Sequence, residues 1–260
     1  MSAAILSVCA LNAIGYAVSI SLGTDKAYDI TGSLAYLSVP FYLPISLESS
    51  SRLLLLIFLQ RLWALRLGAF LFSRVLSGPE KRLLPYLRDP FGLALLFFAQ
   101  TLWVLLGAAP LLVLCWESSH NSSVSLSMAS PLSFVDSALL CFWLLGFLFQ
   151  ALADEQKRSH NSASKTFVCT GLWSMCRHPN YVGQIIQSWS LMLLAQVPLL
   201  RSSSPFVSGF LFLAPLPETL LLVLVMAPGL ERTGEAKWGG SVEWRRYLKT
   251  TPKFFPKLSL

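Results

Sequence analysis

The amino-acid sequence predicts an all-α, polytopic membrane protein of about seven transmembrane helices with a short basic cytoplasmic tail. Composition and charge placement carry that prediction. Apolar residues make up 54% of the chain and charged residues only 13%, roughly half the charged share of a soluble domain. The deficit is concentrated: residues 1–24 and 91–116 contain no charged side chain, and such runs exceed the roughly 20 residues a helix needs to cross a hydrocarbon core. Lys and Arg, in turn, cluster in alternate loops, as they do in multi-pass proteins.

The expected spans follow in order. Segment 3–23 reads as a retained helix, because it lacks the basic start and the small-residue cleavage site of a signal peptide. Segment 30–47 is short and carries Pro40 and Pro44, so a kink is expected there. Segments 53–73, 91–115, 134–153, 179–199 and 205–228 complete the set, and the Ser-rich stretch Ser118–Ser130 reads as a loop. Basic residues follow the third span (Arg74, Lys81, Arg82, Arg88) and the fifth (Lys157, Arg158, Lys165, Arg177), and fill the tail (Arg232, Lys237, Arg245, Arg246, Lys249, Lys253, Lys257). The opposite loops hold Arg52 and Arg201 alone. That alternation puts the C-terminus in the cytoplasm and the N-terminus outside. The formal charge of +7 is this topology signal, and nucleic-acid binding is not expected. Cys9, Cys115, Cys141, Cys169 and Cys176 are scattered and odd in number, and His120, His160 and His178 lie in separate loops. Neither set has metal-ligand spacing, so no metal is expected.

Polar residues in or beside spans are costly in lipid and mark sites or helix–helix contacts. Pro179 suits the first turn of the sixth helix. Asn180, Gln184 and Gln187 then recur at i, i+4 and i+7, on one face. At the end of the fifth helix Gln150, Asp154, Lys157 and Arg158 recur at the same spacing. Two readings stand side by side: amide glue between helices plus topology charges, or a pocket in which basic residues and a helix start hold phosphate.

Three strings carry a family resemblance. They are Asp154-x-Gln156-Lys157, Thr170-Gly171-Leu172-Trp173, and Arg177-His178-Pro179-Asn180-Tyr181-Val182-Gly183. The tail adds Leu230-Glu231, Lys237-Trp238-Gly239, Trp244-Arg245-Arg246-Tyr247 and Thr251-Pro252. Upstream, Trp63-x-x-Arg66-Leu67-Gly68 and Gln100-x-x-Trp103 contribute more loosely. Together they resemble the DUF1295 proteins, which group with steroid 5α-reductases and the sterol C14 and C7 reductases. The resemblance implies a helical membrane enzyme with a cytoplasm-facing NADPH site that reduces a conjugated carbon–carbon double bond. The substrate would be a hydrophobic small molecule entering from the bilayer. It implies residues 1–130 as N-terminal helices on the substrate side, and 131–260 as a reductase-like half with cofactor site and tail, within one integrated membrane domain. Carried over residue by residue, it makes Asp154, Lys157, Arg158, Arg177, His178, Asn180, Tyr181, Gln184 and Tyr247 cofactor-binding residues. Gln184 departs from the pattern: the residue after the motif glycine is usually Glu or Asp. The amide keeps hydrogen bonding and loses the charge.

In such a reduction the cofactor supplies hydride and a protein donor stabilises the developing enolate oxygen. Tyr28, Asp29 and Arg66 are the candidate catalytic residues in the first four spans, although Arg66 would serve equally as an ion-pair partner within the bundle. Glu218, inside the seventh span, is a further intramembrane acid, catalytic or structural. Two rival classes remain open. Isoprenylcysteine and phospholipid methyltransferases share an Arg-His-Pro-x-Tyr-x-Gly string and bind S-adenosylmethionine, commonly with a Glu-Glu pair; here the later segment reads Glu231-Arg232-Thr233-Gly234-Glu235. A non-catalytic membrane scaffold is the other. The endoplasmic reticulum is the expected membrane; the chain ends in neither a KDEL sequence nor the peroxisomal tripeptide.

Overall fold

A computed structural model describes residues 1–24, 26–42, 50–76, 86–163, 166–200 and 205–254. Pro44, Lys81, Arg82, Lys165, Arg201, Lys257 and the side chain of Arg74 lie outside what is described. In chain order the helices are α1 (Ser2–Leu22), α2 (Lys26–Ser38), α3 (Ser51–Leu76), α4 (Pro90–His120), α5 (Ser122–Ala129), α6 (Phe134–Ala163) and α7 (Leu172–Met175). They continue with α8 (Pro179–Leu199), α9 (Pro205–Phe212), α10 (Leu216–Leu220), α11 (Ala227–Trp238) and α12 (Val242–Thr250). No strand occurs among the described residues.

The all-helical membrane class therefore holds, while the helices divide differently from the expected seven. Among the described residues four helices are long and apolar enough to cross a membrane: Ser2–Leu22, Ser51–Ser73, Pro90–His120 and Phe134–His160. Of the expected span 30–47, residues 30–42 fall in the 13-residue α2 and a 3-10 turn over Val39–Tyr42, and 43–47 lie outside the described residues. Pro40 sits in that turn, where its missing N–H and fixed φ end the α-helix. Segment 179–199 is helical throughout as α8, but its amide face makes it less apolar than the four. Segment 205–228 breaks: α9 stops at Phe212 ahead of Pro215 and Pro217, and helix then resumes through α10, a π-helical stretch Leu221–Met226 and α11. The expected loop Ser118–Ser130 is mostly helix, because α4 runs on to His120 and Asn121 caps α5 by accepting from the Ser123 N–H at 3.1 Å. Residues that mark loops in sequence also cap helices.

The chain folds as two compact units. Unit one comprises Met1–Ser133 with Leu194–Ala214, and unit two Phe134–Leu193 with Pro215–Leu260. In unit one α2 packs between α1, α3 and α4. Small residues bring the backbones close, as is usual in membrane bundles: a side chain at Gly32 would meet the Gln100 amide at 2.7 Å, and one at Gly68 would meet Ser33 at 3.0 Å. Polar contacts tie the same helices. The Gln100 amide donates to Asn12 Oδ1 and to the Tyr28 carbonyl, both at 2.9 Å. Tyr36 donates its hydroxyl to the Trp103 carbonyl at 3.1 Å and meets Trp63 edge-on at 4.9 Å. At the start of α3, Ser50 and Arg52 donate to the Met128 and Ser127 carbonyls of α5.

Candidate functional site

Unit two brings together the residues that spacing put on two helical faces. The crossing of α6 and α8 is set by glycine. A side chain at Gly183 would lie 2.6 Å from the Gly146 carbonyl and from the Gln150 N–H, and one at Gly146 would lie 2.8 Å from the Gly183 carbonyl. With backbones in contact, the flanking amides interlock. Gln187 donates to Gln150 Oε1 at 2.8 Å, Gln150 donates to Gln184 Oε1 at 2.7 Å, and Gln184 donates to Glu218 Oε1 at 2.7 Å. Ser188, one turn beyond Gln184, hydrogen-bonds the other Glu218 oxygen. All four long side chains are buried, and each donor points along the chain of amides toward the carboxylate. Trp189 donates to Thr219 Oγ1 at 3.0 Å, fastening α8 to α10 beside it. Glu218 thus has amide and hydroxyl partners on α8. Gln184 uses both ends of its amide in this network, which is the role of interhelical glue.

One turn toward the start of α8 the character changes from neutral to ionic. Asn180 donates to the buried Asp154 at 3.2 Å. Arg177 and His178, just ahead of the helix, both reach Glu231 Oε1 of α11 at 3.1 Å, and Lys253 lies 3.6 Å from Glu231 Oε2. The Arg177 N–H donates to the Pro252 carbonyl at 2.9 Å, which pins the tail against the motif. Lys157 sits 5.2 Å above the Trp173 ring. The Tyr181 ring stacks on His178 at 5.5 Å with an 11° tilt. Burial drives the His178 imidazole down to about 4 from its ordinary 6.5; the Glu231 hydrogen bond and charge oppose this, and Lys157 and Arg177 reinforce it. The imidazole is therefore neutral near pH 7, and its contact with the Glu231 carboxylate needs the proton on Nε2. The neighbouring Cys176 thiol is pushed up to about 11, also by burial. Arg177 keeps one buried donor, Nε–H, with no acceptor among the described residues. With His178 neutral, the charged side chains of Arg177 and Lys253 face the single Glu231 carboxylate and leave a local excess of one positive charge.

The remaining expected site residues sort by what they touch. Tyr247 is buried and donates its hydroxyl to the Trp173 carbonyl at 2.8 Å, while Trp173 donates to the Ala153 carbonyl at 3.0 Å. Burial pushes that phenol well above its ordinary range. These bonds anchor α12 and α7 to α6, and Tyr247 acts there as a strut. Arg158 is turned to the surface, paired with Glu155 one turn back at 2.8 Å. Of the residues expected to assist catalysis, all in unit one, Tyr28 donates its hydroxyl to the Leu96 carbonyl at 3.4 Å and packs edge-on against Phe97. Asp29 lies in the first turn of α2, and the Arg66 guanidinium lies 5.6 Å from the Phe70 ring. Glu231 and Lys253 entered the sequence reading only as tail residues. No spacing rule links them to Arg177, which lies more than fifty positions upstream of both.

The family model described as "Protein of unknown function (DUF1295)" matches residues 15–251. No curated protein and no solved structure matches the chain.

Proposed function

The chain belongs to the DUF1295 family, and from that premise we propose that it is a membrane-embedded, NADPH-dependent reductase of a conjugated double bond in a lipid-like substrate. One observation carries the reading: Arg177, His178 and Lys253 converge on the single carboxylate of Glu231, and a buried Arg177 N–H has no acceptor among the described residues. An excess of fixed positive charge beside a helix start is what a nucleotide phosphate requires. Arg177, Lys157 and Lys253 would hold phosphate, and Asn180 with Asp154 would hold a polar sugar or amide group. Neutral His178 and Tyr181 supply an aromatic wall. The cofactor, once bound, supplies hydride. The protein positions it and excludes water, and Glu231 keeps Arg177 oriented. Gln184, Arg158 and Tyr247, which the family resemblance nominates as ligands, act here as helix glue, surface pair and strut. Tyr28, Asp29 and Arg66 remain candidates for the donor to the substrate oxygen. Seven spans, a cytoplasmic C-terminus and residence in the endoplasmic reticulum belong to the same proposal.

A second reading has its own support. The amides of Gln150, Gln184 and Gln187 bond largely to one another and to Glu218, as they would in a scaffold with no ligand. Titration of the purified chain in lipid nanodiscs with NADPH and with S-adenosylmethionine separates the alternatives. Saturable NADPH binding, weakened about tenfold or more in Arg177→Ala, is expected, since a charge-assisted bond contributes roughly that much. Binding of S-adenosylmethionine alone would make the chain a methyltransferase, and binding of neither would leave the scaffold.

A further inference from the structure

We propose that Lys253 is an exchangeable clamp on the phosphate site: it rests on Glu231 and leaves that carboxylate for the phosphate group of an incoming ligand. Glu231 is then a built-in competitor that holds the empty site partly neutralised. The inference rests on the phosphate-site reading above and adds its regulation.

The two oxygens of Glu231 are held unequally. Oε1 takes Arg177 Nη1 and His178 Nε2, both at 3.1 Å. Oε2 has only Lys253 among the described residues, with Nζ at 3.6 Å, beyond ordinary hydrogen-bond range. Accessibility grades in the same direction. The Lys253 side chain is 32% exposed, against 24% for Glu231, 17% for Arg177 and 6% for His178. A ligand arriving from water therefore meets the loosest pair first, and a long ion pair at that exposure is held weakly.

The backbone beside Lys253 is fixed. The Pro252 carbonyl accepts from the Arg177 N–H at 2.9 Å, and the Thr251 N–H donates to the Tyr247 carbonyl at 2.9 Å. Phe254, on the other side, packs its ring 5.7 Å from that of His178. Exchange thus needs only rotation of a four-carbon stem that carries a compact point charge. Oε1 can keep Arg177 oriented throughout. With Lys253 on Glu231, an incoming phosphate faces one uncompensated charge, that of Arg177. With Lys253 turned to the ligand, it meets two cations at close range, and a phosphate group gains charge-assisted bonds from both.

The test titrates the full chain in lipid nanodiscs with inorganic pyrophosphate and, in parallel, with NADPH. Glu231→Gln keeps a carbonyl oxygen for Arg177 and His178 and removes the charge that draws Lys253. It should tighten pyrophosphate binding about tenfold, the effect of one carboxylate charge lost close to the ligand. Lys253→Met should weaken binding, and in that background the gain from Glu231→Gln should be about threefold smaller or less, because only direct repulsion is left to relieve. A third readout removes neither charge. The lysines carry isotope-labelled methyl groups, and the Lys253 resonance is identified by its absence from Lys253→Arg. That resonance should shift when pyrophosphate is added to saturation. Weaker or unchanged binding in Glu231→Gln, an equal gain in both backgrounds, or an unmoved Lys253 resonance would overturn the proposal. If pyrophosphate binds in this way and NADPH does not, the clamp stands and the reductase reading falls. If NADPH binds while the Lys253 resonance stays still, the reverse holds.

Discussion

His178 shows how burial sets the chemistry of a single side chain. Its imidazole titrates at about 4 in the folded chain and at 6.5 when unperturbed. The unfolded chain therefore binds more protons than the folded one between those values, and stability falls as pH drops through the window. Above pH 6.5 the group contributes no slope. Across the whole window the loss is about 3 kcal/mol, from the two end values and roughly 1.4 kcal/mol for each unit. Chemical-denaturation midpoints in detergent between pH 7.5 and 4 should show this decline, and His178→Gln should flatten it. Because the Glu231 hydrogen bond and charge hold the imidazole up against burial, Glu231→Gln should move the titration lower still, visible as an imidazole chemical shift that stays neutral further into acid. An imidazole that protonates near 6.5 in the folded chain would mean that the pocket is wet, and the phosphate site with it would be a surface feature.

At the scale of elements, the α6–α8 pair depends on two glycines and on matched amides. Gly183→Ala would push a methyl group to 2.6 Å from the Gly146 carbonyl, so the helices must separate; a cost of about 1–3 kcal/mol is expected, read from the melting temperature in detergent. The Gln184–Glu218 bond gives a sharper test. Gln184→Glu sets two buried carboxylates against each other, while Glu218→Gln keeps one acceptor oxygen but sets an amide N–H₂ where the second oxygen accepted from Ser188. The double change restores an acid–amide pair with the positions exchanged. Each single variant should lose stability, and the double should recover most of it, an interaction that only groups in contact display. These faces were legible in the sequence because 3.6-residue periodicity fixes which side of a helix a residue occupies. Asn180, Gln184, Gln187, Gln150 and Asp154 all lie where that spacing put them. Their partners were not legible. Periodicity carries no information on which distant segment packs opposite, so Glu218 read as an intramembrane acid, catalytic or structural, and Glu231 read as a tail residue. Breaks were the other blind spot, since hydropathy alone ran residues 205–228 together across the turn before Leu216.

For the whole molecule the unresolved quantity is the number of crossings, and charge and exposure constrain it jointly. If only the four long apolar helices spanned, everything after His160 would lie in water. Leu220, Leu224 and Val225 are each at least half exposed, so that arrangement would leave a contiguous apolar face in the cytoplasm, which soluble surfaces avoid. Placing α8 and the helix from Leu216 onward in lipid removes the conflict, and the amides of α8 remain tolerable there because they bond to one another. Parity then separates the arrangements. Both put the basic segments after α3 and α6 on the cytoplasmic side, and so both protect the C-terminus. An odd count of seven leaves the N-terminus outside, whereas four crossings return it to the cytoplasm. In sealed membrane vesicles that enclose the cytoplasmic face and carry a tag at each end of the chain, external protease should remove the N-terminal tag and spare the C-terminal one. Protection of both would reduce the count to four and put α8 in water, stranding the amide network outside the membrane. Digestion of the C-terminal tag would invert the charge argument and remove Arg177, His178 and Lys253 from contact with cytoplasmic nucleotide.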